Sequence, residues 1–194
     1  MYKLYTRPGS GGFVVEAALA LANAPFEQID VPKTDRPDPA FLDISPLNQV
    51  PVLTLPDGSS MTESAAICIL LAERHPNAGL APAVDAPARA DFLRWMAFMS
   101  SVLYPAVLRF YYAYRYTADA DGTKAVKQAA VAEMDRGFAV VDAALQAVTG
   151  WSATACRWPT SISSCWWPGI PMPTRRGRPG PISSVCGRNC ARTR

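Results

Sequence analysis

An α/β domain over residues 1–78 followed by an all-α domain is what this sequence predicts, on three observations. Stretches of strand and helix character alternate through the first 78 residues. Within them, Asp57-Gly58 separates two short β-prone runs, the strongest short-range hairpin signal a sequence offers. From residue 88 the chain changes to long helical stretches with apolar periodicity. At 194 residues, 49% of them hydrophobic, the chain has enough material to bury a core in one large or two small domains.

Residues Tyr2–Thr6 read as a strand, Arg7-Pro8-Gly9-Ser10-Gly11-Gly12 as a loop, and FVVEAALALAN as a helix on its alanine and leucine content. PFEQIDV alternates as a second strand, and PAFLDISP is a short helical turn ended by Pro46. VPVLTL and SSMT form the hairpin. After it, Ser64 is expected to cap a helix, AAICILLAERH, that Pro76 stops and His75 caps at its C-terminal end. The order β-α-β, short helix, β-β-α, with a right-handed first crossover, sets helices against one side of a small mixed sheet, which is the thioredoxin-like arrangement.

The Pro- and Ala-rich stretch at residues 79–87 reads as a linker. In the all-α domain, residues 88–150, a first long helical stretch carries Pro105 where it would kink, and GTKAVKQAAVAEMDRGFAVVDAALQAV is an amphipathic helix. No run approaches the roughly 18 apolar residues that cross a bilayer. The opening MYKLYTRPGS lacks the charged-then-apolar layout of a secretory signal, so a cytoplasmic protein without membrane attachment is expected.

The formal charge of +3 is carried by the end of the chain: seven arginines lie beyond residue 150 with no other charged residue, and without them residues 1–150 stand at −4. A nucleic-acid partner would rest on that tail alone, and none is expected. Cysteines follow the same split, Cys68 early against Cys156, Cys165, Cys186 and Cys190 late, with no paired C-x-x-C spacing, and no metal site is expected.

Three segments carry chemistry. A cis bond at Val50-Pro51, ahead of VLTL, would end strand pairing and leave the Val50 N–H and C=O free for an extended peptide; the plain alternative is a proline that merely starts a strand. At Glu63-Ser64 a helix opens, so the Ser64 hydroxyl and adjacent N–H groups suit a carboxylate and Glu63 an amino group, while simple capping accounts for Ser64 as well. The third segment is the glycine-rich loop around Ser10.

A VP-x-L strand, a hairpin and an E-S-x-A-I helix start at this spacing resemble the glutathione S-transferase family, over residues 1 to about 150. The opening LYTRPGSGG resembles the bacterial beta-class branch, in which a cysteine lies in the loop at the start of the first helix; Ser10 takes that position here. The resemblance implies a thioredoxin-like glutathione-binding domain at 1–78, a helical domain at 88–150 and a two-fold homodimer. It also implies glutathione as co-substrate, with transfer of its thiolate to a small hydrophobic electrophile or reduction of a peroxide, a detoxifying activity. A cysteine in the loop would form mixed disulfides, whereas Ser10 donates a hydrogen bond that stabilises the thiolate. Tyr5 and Thr6 are rival donors, and a serine that merely fills a flexible turn is the plain alternative. By resemblance Lys33 contacts a glutathione carboxylate, with Gln49 near the same end, and Tyr104 contributes from the helical domain. Tyr111, Tyr112 and Tyr114 line an electrophile pocket or else form core. The alternative class is a non-enzymatic glutathione-binding or interaction module that kept the fold.

From Trp151 the chain has no acidic residue and no amphipathic period, but six prolines, seven arginines and four tryptophans, where the family places further helices. Solvated linkers do not carry tryptophan at that density; a shifted reading frame explains it. Starting each codon on the third base, Trp158-Pro159 must give alanine, and Cys165-Trp166-Trp167-Pro168 must give leucine, valine and alanine. With GC-rich codons elsewhere, the restored frame reads VGDRLSLADIYLLMLVAWYPDAD, matching the family's central helix start. Residues 151–194 are therefore expected to be a frameshifted tail that does not form the family's helices.

Overall fold

The computed structural model describes the backbone of residues 1–146, and the shifted-frame reading of residues 151–194 lies outside the described residues. The described residues divide into two compact units, one over residues 1–89 and one over residues 90–146.

In the first unit β1 (Tyr2–Thr6) lies parallel to β2 (Phe26–Asp30), with Tyr2 opposite Phe26 and Thr6 opposite Asp30. On its other side β1 runs antiparallel to β3 (Val52–Thr54), which pairs antiparallel with β4 (Ser60–Met61), giving the mixed order β2-β1-β3-β4. Alternation along β1 buries Tyr2, Leu4 and Thr6 and turns Lys3 and Tyr5 to the opposite face. This mixed four-stranded sheet has the thioredoxin-like arrangement.

Helix α1 (Phe13–Leu21) buries Val14, Val15, Ala18 and Leu19, a stripe at helical spacing. Short helix α2 (Pro39–Ile44) starts where Asp38 accepts from the Ala40 N–H and Pro39 fills the first turn. Helix α3 (Ser64–Arg74) buries Ile67, Cys68, Leu71 and Ala72 and packs on α1. Leu4, Val15, Leu19, Val52, Leu53, Ile67 and Leu71 are wholly buried, each large side chain contributing about 1.5–3 kcal/mol of burial. The hairpin closes through Gly58 at φ +89° and through Asp57, which accepts from the Ser59 hydroxyl and N–H; those bonds hold the Asp57 carboxyl below its ordinary 3.8.

Of two local expectations at the ends of α3, the first is corrected and the second is met. Ser64 does not cap α3: it is the helix's first residue, the cap position belongs to Glu63, and no side chain bonds the first turn there. His75 does end α3 through its backbone N–H on Leu71 O, but its ring bonds the Tyr2 hydroxyl at 3.2 Å rather than the helix end.

Leu80, within the stretch read as linker, is buried, and Arg89 bonds both Glu73 and the Pro82 carbonyl. In the second unit α4 (Arg89–Phe98) leads through a π-helical turn, Met99–Leu103, into α5 (Tyr104–Tyr111). The expected proline kink takes this form because Pro105 cannot donate and its ring crowds the carbonyl four residues back; the wider turn, with the Tyr104 N–H on Met99 O, makes room. Helix α6 (Thr123–Gln146) packs on α5, burying Ala130, Met134 and Val141, and Arg109 pairs with Glu133. Among the described residues no helix is long and apolar enough to cross a membrane.

Candidate functional site

Strand register brings the candidate segments of the first unit to one end of the sheet. β1 ends at Thr6 beside Asp30, so the Arg7–Gly12 loop and the segment carrying Lys33 leave the sheet together, tied by the Val31 N–H on Thr6 O at 2.8 Å. Because β3 opposes β1, with Val52 across from Tyr5, the chain before Val52 runs past Thr6, which puts Val50-Pro51 at that end too. β4 opposes β3, with Met61 across from Leu53, so Thr62-Glu63-Ser64 emerges there as well.

At the head of α1 the two rival hydroxyls meet. Thr6, buried, has its Oγ1 3.3 Å from Ser10 Oγ. Ser10 donates to the Arg7 carbonyl at 2.7 Å and accepts from the Gly12 N–H at 3.2 Å, so the hydroxyl sits among the first backbone donors of the helix. Gly12 is buried, and a Cβ there would stand 1.9 Å from Thr6 Oγ1; only hydrogen fits. Tyr5 does not join this pair: on the opposite face of β1, its ring lies 5.9 Å from that of Phe41.

The Val50–Pro51 bond is cis. Val50 is half-buried, precedes the paired part of β3, and takes no part in backbone hydrogen bonds among the described residues. Ser45, buried, clamps the approach to it, donating to the Gln49 carbonyl at 2.8 Å and accepting from the Gln49 N–H at 3.0 Å, while the Gln49 side chain stays exposed. Glu63 is exposed and holds φ +65°, a left-handed conformation costing a non-glycine residue about 1–3 kcal/mol. That strain turns the chain from β4 into α3 and leaves the half-buried Ser64 at the helix's first position with its hydroxyl uncommitted to a cap. Lys33 is exposed just past β2. Tyr104 is the first residue of α5, in the other unit, as are Tyr111, Tyr112 and Tyr114. Sequence reasoning did not single out Arg7, Gly12 or Ser45; the one available signal was the density of small residues in the loop.

Residues 4–79 match the family model of the glutathione S-transferase N-terminal domain. Those residues carry a glutathione S-transferase N-terminal domain. The chain is 34% identical to an uncharacterised GST-like protein, YncG, of Escherichia coli K12 over 123 residues, 62% of this chain and 59% of that protein. It is also 34% identical to glutathione S-transferase GST-4.5 of Xanthomonas campestris pv. campestris over 103 residues, 53% of this chain and 50% of that one. The chain therefore spans little more than half the length of the curated relatives it matches. Among solved structures, a sphingomonad glutathione S-transferase complexed with glutathione superposes with a TM-score of 0.73 at 26% identity, covering 98% of this chain and 92% of that one.

Proposed function

We propose that this chain is a glutathione transferase: it binds glutathione at the end of the first unit's sheet, ionises the thiol beside Ser10, and delivers the sulfur to a small hydrophobic electrophile. The observation that carries this reading is the strand register, which gathers Ser10, Lys33, Val50-Pro51 and Glu63-Ser64 at one end of one sheet. Each group answers one part of the tripeptide. Val50 supplies backbone N–H and C=O for its peptide, Ser64 and the start of α3 receive the γ-glutamyl carboxylate, and Glu63 meets the amino group. Lys33 and Gln49 take the other carboxylate, and Tyr104 is proposed to contribute from the helical domain.

At the thiol the proton passes to solvent, and the thiolate is held by the Ser10 and Thr6 hydroxyls and by backbone N–H groups at the head of α1. With an aryl halide the sulfur–carbon bond forms as the carbon–halogen bond breaks, and halide leaves with the bonding pair. With a peroxide the thiolate attacks the O–O bond, giving a sulfenic acid and an alcohol; a second glutathione then releases water and the disulfide. A cytoplasmic, detoxifying homodimer is the setting proposed for this activity, with residues 1–78 and 88–150 as its two domains. For residues 151–194 the proposal remains a shifted frame, which the nucleotide sequence across codon 151 decides.

One observation favours the non-enzymatic reading. The Ser10 proton is directed at the Arg7 carbonyl, so donation to a thiolate requires the hydroxyl to rotate away. Conjugation of a chromogenic aryl halide by the full chain, with and without Ser10→Ala, separates the two. Transfer expects turnover above background that Ser10→Ala lowers by about one to two powers of ten, in the range of one oxyanion-type donor or less. Glutathione binding without turnover would support the binding module.

A further inference from the structure

Arg7 is the first loop residue after β1, and its carbonyl is the acceptor for the Ser10 hydroxyl. Its guanidinium is left half-finished. Among the described residues Nε and Nη2 are buried without a hydrogen-bond partner, and no carboxylate pairs with Arg7. Those two nitrogens share one edge of the planar group, and their parallel N–H bonds match the two oxygens of a carboxylate. Arg7 as a whole is half-buried, but two buried N–H donors without a partner are costly, and a carboxylate is the group that would satisfy both at once.

From this we infer that Arg7 is the receptor for a carboxylate on the second substrate, making the enzyme selective for anionic electrophiles such as halogenated aryl acids. The inference rests on the transferase reading above. Glutathione's own carboxylates are already assigned, one to Ser64 and the other to Lys33 and Gln49, whereas Arg7 stands at the thiol end beside Ser10. The electrophile is the ligand that meets the sulfur there. Residues 1–150 carry a net charge of −4, which disfavours an anionic substrate unless a local cation offsets it.

The test compares chloronitrobenzoate with its methyl ester on the full chain, on Arg7→Lys, which keeps the charge and loses the fork, and on Arg7→Met. Two quantities are read: the ratio of kcat/KM for acid over ester, and the equilibrium affinities of the acid, the ester and glutathione. The wild-type chain is expected to bind the acid at least tenfold more tightly than the ester. Both variants are expected to lower the acid-over-ester ratio tenfold or more, with glutathione affinity held. A wild-type chain that binds acid and ester alike overturns the assignment without recourse to any variant. An unchanged ratio in folded Arg7→Lys overturns it as well, and loss of glutathione affinity in its place would give the carboxylate to glutathione. If the chain shows the acid preference in binding yet conjugates neither compound, the transferase reading fails while the Arg7 site stands.

Discussion

Thr6 Oγ1 lies 3.3 Å from Ser10 Oγ, and the two hydroxyls meet only because Gly12, beneath them, has no side chain. Gly12 has an ordinary helical φ of −70°, so alanine would suit the backbone, and its whole penalty comes from the Cβ that would sit 1.9 Å from Thr6 Oγ1. The neighbour in the way is a buried side chain on a central strand with no room to retreat. Gly12→Ala is expected to destabilise the chain by about 1–3 kcal/mol through overpacking. Urea unfolding measures it, and an unchanged midpoint would contradict the packing described for the head of α1.

Ser45 is the hinge pin of the segment that leads to Val50. Its hydroxyl serves both backbone polar groups of Gln49, and removing it leaves an N–H and a C=O without their partner in a part-buried setting. Ser45→Ala is expected to cost about 1–3 kcal/mol in stability. Glutathione affinity should fall with it, because the Val50 backbone loses its support. Calorimetric titration alongside thermal melts reads both; a stable variant with full affinity would remove Ser45 from the account.

Ser64 separates a ligand role from a capping role. Since the hydroxyl makes no cap bond, Ser64→Ala is expected to leave stability within about 0.5 kcal/mol of the parent. Glutathione affinity is expected to weaken by about 1–2 kcal/mol, the worth of one charge-assisted hydrogen bond. The reverse pattern, lost stability with unchanged affinity, would make Ser64 a structural residue.

The elements of the first unit were legible because each rests on local signals. Tyr2–Thr6 and Phe26–Asp30 appear as strands where alternation predicts them, and Asp57-Gly58 turns the hairpin. Boundaries that depend on a single backbone angle were not legible: nothing in the sequence announces that Glu63 takes φ +65° and so displaces Ser64 from the cap position into the helix. Pro105 was placed rightly as a disruption, but its resolution into a π-helical turn depends on how the chain redistributes its hydrogen bonds. Ser10 stood as the leading donor in one dimension with Tyr5 and Thr6 as rivals; strand alternation pairs Thr6 with Ser10 and sends Tyr5 to Phe41. Arg7 went unremarked, because burial of its nitrogens without a partner is a property of the fold alone.

The central claim, that this chain ionises the thiol of glutathione, is tested most directly by titrating the bound thiol through its thiolate absorbance. A free thiol of this kind titrates at about 8.5, and donors at Ser10, Thr6 and the head of α1 favour the charged form, which moves the midpoint down. Expected is a bound midpoint about two pH units lower, equivalent to about 2.7 kcal/mol, with Ser10→Ala returning part of the way toward the free value. The thiolate, and with it conjugation, is then present above the bound midpoint and lost as pH falls through it. A bound thiol that titrates where free glutathione does would contradict the claim and leave a protein that holds glutathione without activating it.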